Sequence, residues 1–151
     1  MRRESGQSLF EVVLALAIAT IIIVAMVALA SSAIRNSNFS KNKTLATRYS
    51  QEATEWLRGE RDRDFDTFYA QASNPVYCLP SLSWAVATIG TCTDGQEIPG
   101  TIFKREVGFT RTTVLVGGLP KNVIEAEMNV YWQDDQAIHE VRSITEYTDW
   151  R

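Results

Sequence analysis

Glu11 is the residue whose type and position most demand a chemical reason. It stands just ahead of residues 12–34, which carry no charged side chain and are almost wholly Val, Leu, Ile, Ala and Met. A carboxylate at the centre of a bilayer is unfavourable by about 2.5–3.5 kcal/mol, and such groups are usually functional. One turn inside the membrane end the cost is smaller, but the charge still needs a cation to neutralise it. The chemistry that Glu11 offers is therefore ion pairing in a low dielectric.

Cys78 and Cys92 are the only cysteines. In a domain outside the cytoplasm an even pair would form a disulfide, and in a reducing compartment two buried thiols are the other reading. Closing so short a segment is worth roughly 3 kcal/mol in the chain-entropy model, and it would staple the excursion around Trp84. Two cysteines and the single histidine, His139, are too few for a zinc set. Asp62, Asp64 and Asp66 mimic the first ligand positions of a calcium loop. Thr67 and Ser73 then stand where that loop needs its glycine turn and its bidentate glutamate, so the match fails. Asp94, or Asp134 with Asp135, brings no complete ligand set either. Gly117-Gly118 lacks the following helix and Lys/Ser of a phosphate loop. No Cys-His or Ser-His-Asp set can be placed around His139. Catalysis, a bound metal and a cofactor are all unexpected.

The elements that must carry these residues follow from periodicity. As a helix at 1.5 Å per residue, residues 12–34 cross a hydrocarbon core of about 30 Å, and in lipid a single segment can pair its backbone only as a helix. Ala15 with Ala19, and Ala28 with Ser32, place small residues one turn apart, a spacing that permits close helix approach. No Gly or Pro occurs between Gly6 and Gly59, so the helix is expected to continue, amphipathic, to about residue 58. Leu45, Tyr49, Ala53 and Trp56 form its apolar stripe. Residues 60–67 read as a solvated loop of paired charges, with Phe65, Phe68 and Tyr69 tucking it onto the rest.

Residues 101–116 read as a strand ended by Gly117-Gly118. In residues 123–132, Ile124, Ala126, Met128, Val130 and Trp132 alternate with polar partners, the pattern of a half-buried strand. A turn at residues 134–136 and a hairpin partner at 138–147 complete an antiparallel meander packed on the second half of the helix. The expected fold class is thus α+β. Its parts are an apolar helix at 7–34, with residues 1–6 ahead of it, and one head domain at 35–151. The loop around Trp84 is expected to be exposed and to touch a partner.

The chain has 151 residues, 45% of them hydrophobic, and a net charge of −3. That balance gives no basic footprint for nucleic acid. Arg2 and Arg3 precede the span, but Arg35, Lys41, Lys43 and Arg48 follow it, so charge alone does not orient it.

The stretch Gly6-Gln7-Ser8-Leu9-Phe10-Glu11-Val12-Val13-Leu14-Ala15-Leu16-Ala17 resembles the processing site of type IV pilins and type II secretion pseudopilins. Its apolar run looks most like the minor subunits of the I and V types. The resemblance covers roughly the first thirty residues. It implies cleavage by a prepilin peptidase between Gly6 and Gln7, N-methylation of Gln7, and a Glu11 that faces the charged N-terminus of a neighbouring subunit. It implies an inner-membrane, single-pass precursor that an assembly platform passes into an extracytoplasmic filament. The partners would be other pilin subunits, the peptidase/methyltransferase and membrane lipid. Gln7 departs from the Phe or Met usual at the first mature position, and the mid-helix Pro of many major pilins is absent. The other readings of the segment are a signal peptide cut after Ala28-Leu29-Ala30 and a plain single-span anchor, each presenting an extracytoplasmic binding domain.

Overall fold

The structure is a computed structural model that describes residues 7–134 and 137–149, with side chains from Leu9 onward. Two units are distinguishable, the first ending at Asn42 and the second beginning at Lys43.

The first unit is the apolar part of helix α1 (Gln7–Arg63). Without Gly or Pro before Gly59, nothing in the sequence interrupts its hydrogen-bond ladder. The most apolar 18-residue window has a mean hydropathy of 3.1 and none of it is buried within the chain. Leu9, Ile21 and Leu29 all stand exposed, so the apolar surface goes all round the helix rather than along one stripe. Thr20 satisfies its hydroxyl internally by donating to the Ala17 carbonyl at 2.8 Å.

The second unit begins with the amphipathic part of α1. A second short helix, α2 (Phe65–Gln71), follows, and then five strands: β1 (Val76–Cys78), β2 (Thr88–Ile89), β3 (Lys104–Val116), β4 (Leu119–Gln133) and β5 (Ile138–Thr148). They form one antiparallel sheet in the order β2-β1-β3-β4-β5. Val107, Met128 and Ser143 lie in register across its middle, as do Phe109, Ala126 and Thr145. This face carries the inward set Ile124, Ala126, Met128, Val130 and Trp132, all buried, and α1 packs on it.

The helix meets the sheet along Ala46, Ser50, Ala53 and Leu57, all buried. The expected stripe of Leu45, Tyr49 and Trp56 is half-buried and flanks this line. Small residues at the centre of the contact let the helix backbone approach the sheet, and the larger side chains pack around the sides. Between the layers the Ser50 and Ser143 hydroxyls hydrogen-bond at 2.9 Å.

Several boundaries differ from the sequence expectation: β3 begins at Lys104 rather than residue 101, β4 begins at Leu119 rather than residue 123, and β1 and β2 are additions to the expected strands. The helix does not stop near residue 58 but runs through Gly59 to Arg63. Ion pairs Arg58–Glu55 and Arg63–Glu60, one turn apart, support its last turns against the glycine penalty. Residues 60–67 are likewise not a loop. Asp64 caps α2, its Oδ1 accepting from the backbone N–H groups of Asp66 and Thr67 at 3.1 Å each. The aspartate spacing that mimicked a calcium loop is a helix-cap signal. Phe68 is buried, and Phe65 and Tyr69 pack beside it, as expected of them.

Gly117 and Gly118 have φ of 60° and 84°, the left-handed pair that a two-residue β3–β4 hairpin turn requires. The turn residue Asp134 is described, whereas Asp135 and Gln136 lie outside the described residues.

Candidate functional site

The residues singled out from the sequence fall into three places. Gly6 lies outside the described residues. Gln7 opens α1, its side chain also outside them. Glu11 is exposed on the first unit, among the uncovered Phe10, Val12 and Leu14. Among the described residues it has neither a hydrogen bond nor an ion pair. Its helix turns apolar side chains to every side, so any neutralising cation must come from outside this surface.

Cys78 and Cys92 form the disulfide, with Cα atoms 4.9 Å apart. Cys78 sits in β1 opposite Glu106 of β3. Glu106 organises the far side of the bridge: its Oε1 accepts from the Cys92 backbone N–H at 2.6 Å and from the Tyr131 hydroxyl at 2.7 Å. Burial, reinforced by that carboxylate, holds the Tyr131 phenol well above its ordinary pKa.

Trp84, within the bridged segment, is half-buried, while Val86 and Ile89 of that segment are exposed. Its ring lies 4.8 Å from Trp56, 5.4 Å from Tyr77 and 6.4 Å from Phe109, and its Nε1–H donates to Glu60 Oε2 at 2.9 Å. A half-buried indole has a large apolar face to cover and one donor to satisfy, and the last turns of α1 supply both. The disulfide closes this segment onto β1, and the indole docks it on the helix.

His139 places Nε2 2.8 Å from Asp134 Oδ2, and its ring lies 5.2 Å from Trp132. It is a β5 side chain covering the end of the core. Among the described residues, no three His, Cys, Asp or Glu side chains converge as a metal set would.

Two features escaped sequence reasoning. Arg105 is buried, donating through Nε to the Leu79 carbonyl at 3.1 Å and through one terminal nitrogen to the Tyr49 carbonyl at 3.3 Å. Burial pushes its pKa down from the usual arginine value. The signal was present in the strand alternation, where Arg105 occupies the inward position between Phe103 and Val107. The second feature is a groove of about 510 Å³ at the start of β3 and the end of β4. It is lined by Asp94, Glu97, Ile102, Lys104, Trp132 and Ile138, among others. Lys104 pairs with Asp94 at 2.8 Å and with Glu97 at 3.6 Å. The hydrogen bond to Asp94 holds the ammonium pKa above its ordinary value, and the same contact holds the Asp94 carboxyl below its own.

Comparison with protein-family models, with curated proteins and with solved structures returns no match.

Proposed function

We propose that this chain is a structural subunit, pilin-like or pseudopilin-like, of a type IV pilus or type II secretion-like filament. The observation that carries the reading is Glu11: an exposed carboxylate without a partner among the described residues, on a helix whose apolar surface is uncovered all round. An apolar surface of that kind is stable in lipid or among other such helices, and a lone acid in either place needs a cation.

In this mechanism residues 9–34 hold the precursor in the inner membrane. A prepilin peptidase hydrolyses the Gly6–Gln7 peptide bond on the cytoplasmic side, and the new amine of Gln7 takes a methyl group from an electrophilic methyl donor, whose bond to that methyl breaks as one amine proton is released, so the nitrogen keeps its charge. An α-amine has an ordinary pKa of about 7.7–8 and is substantially protonated at neutral pH. Glu11 of one subunit accepts that cation from its neighbour. Desolvation offsets much of the attraction, so the pair acts chiefly by selecting axial register. Because the acid and the amine are different patches, the contact is heterologous and repeats without closing, which yields a fibre.

Intact-mass measurement of the membrane-extracted protein is the first test. Loss of Met1 to Gly6 supports the filament reading. Loss through Ala30 supports a secreted domain, and an uncut chain supports a plain anchor. The second test is Glu11→Ala. Membrane insertion is expected to persist while filament assembly fails, and unchanged assembly would count against the pairing.

A further inference from the structure

The β3–β4 hairpin outruns its sheet. The last β1–β3 pair is Val76↔Gly108 and the last β4–β5 pair is Val123↔Thr148, whereas β3 and β4 stay paired to Val116↔Leu119. Residues 113–122 thus form a two-stranded ribbon with no neighbouring strand among the described residues. An isolated ribbon is marginal in water, and polar residues are the usual protection of such an end. This one instead carries Leu115 at 75% exposure, Leu119 at 73%, and the exposed Val114 and Val116. Its only charge is Lys121, which makes no ion pair among the described residues.

The groove lined by Trp132 lies at the opposite end of the same strands. Phe103 and Trp132 there pack on Ala46, early in the head's helix, whereas Val116 and Leu119 lie beside Phe65, which follows the helix. From Leu119 to Trp132 along β4 the separation is roughly 45 Å at ~3.3 Å per residue, so the ribbon of one copy cannot reach its own groove. The groove offers apolar surface in Ile102 and in Ile138, the latter 67% exposed. Of its charged lining residues, Asp94 and Glu97 against Lys104 leave a net charge of −1 (one cation less two acids), complementary to Lys121.

We propose that the hairpin tip of one copy seats in this groove of the next copy. Leu115, Val116 and Leu119 cover Ile102 and Ile138, and Lys121 faces Asp94. A tip and a groove at opposite ends of one strand pair propagate head to tail, as a heterologous contact must. The choice of a second copy as the occupant rests on the filament reading.

The test is oxidative cross-linking of the full-length protein in membranes, with Leu119→Cys and Ile138→Cys combined. A ladder of covalent multimers that requires both substitutions is expected. Dimers formed by Leu119→Cys alone would mean that tips meet tips, and cross-links only to a different protein would mean another occupant; either overturns the proposal. Leu115→Asp with Val116→Asp, both at exposed positions and added to the cysteine pair, is expected to abolish the ladder while the thermal melt of the head is retained. A persisting ladder also overturns the contact. If the ladder is absent but cleavage at Gly6 and dependence on Glu11 hold, the groove contact falls and the filament reading stands. If the ladder forms on an uncut chain, the contact stands without that reading.

Discussion

The Tyr147 hydroxyl donates to the Thr54 carbonyl oxygen across 2.9 Å, tying the last strand to the helix that begins the head. The two residues are 93 positions apart, so this bond closes almost the whole domain. Tyr147→Phe keeps the ring against Phe68 and removes only the donor. A net loss of about 1 kcal/mol is expected, read as a lower urea midpoint with unchanged slope.

The same tyrosine sets an alkaline limit. Burial pushes its phenol up to about 12, with Arg58 opposing and Glu55 adding to the shift. The unfolded phenol titrates near 10. Below about pH 10 both states hold the proton and the stabilisation is fully present. Between about 10 and 12 the unfolded chain loses a proton that the folded chain keeps, so stability falls as pH rises. Denaturation midpoints against pH are expected to drop over that window and to drop less in Tyr147→Phe.

Arg105 bridges three segments by donating to the Leu79 and Tyr49 carbonyls from within β3. Arg105→Ala leaves both acceptors without this donor and opens a cavity, and is expected to cost about 3 kcal/mol. Arg105→Met fills the space, removes the desolvated cation and is expected to cost about 1 kcal/mol. Equal melting of the two variants would refute this division between packing and hydrogen bonding.

The Cys78–Cys92 bridge encloses a short segment whose indole is already docked on α1. Reduction, or Cys78→Ser with Cys92→Ser, is expected to destabilise the head by roughly 3 kcal/mol. Trp84 fluorescence should change with the loss of its contacts.

Apolar side chains of equal type should behave differently in the two units. Leu57→Ala in the core is expected to cost about 2–5 kcal/mol and to lower the melting temperature of the head. Leu16→Ala, in the exposed apolar part of α1, should leave that melting temperature unchanged.

The chain's periodicities by themselves determined the long helix, the β4 alternation from Ile124 to Trp132, its β5 partner and the strand end at Gly117-Gly118, because each depends on a pattern within a few residues. The same local chemistry singled out Glu11, whose isolation is visible without any fold. What only the tertiary structure decided depends on distant partners. Asp64 became a helix cap because α2 starts beside it, and Gly59 stayed helical because the turns around it are paired. Trp84 is held by a helix turn some two dozen residues earlier, and Arg105 lies inside because carbonyls of Tyr49 and Leu79 converge on it. A sequence records which side chains alternate or repeat, whereas the satisfaction of a buried donor is fixed only once the layers meet.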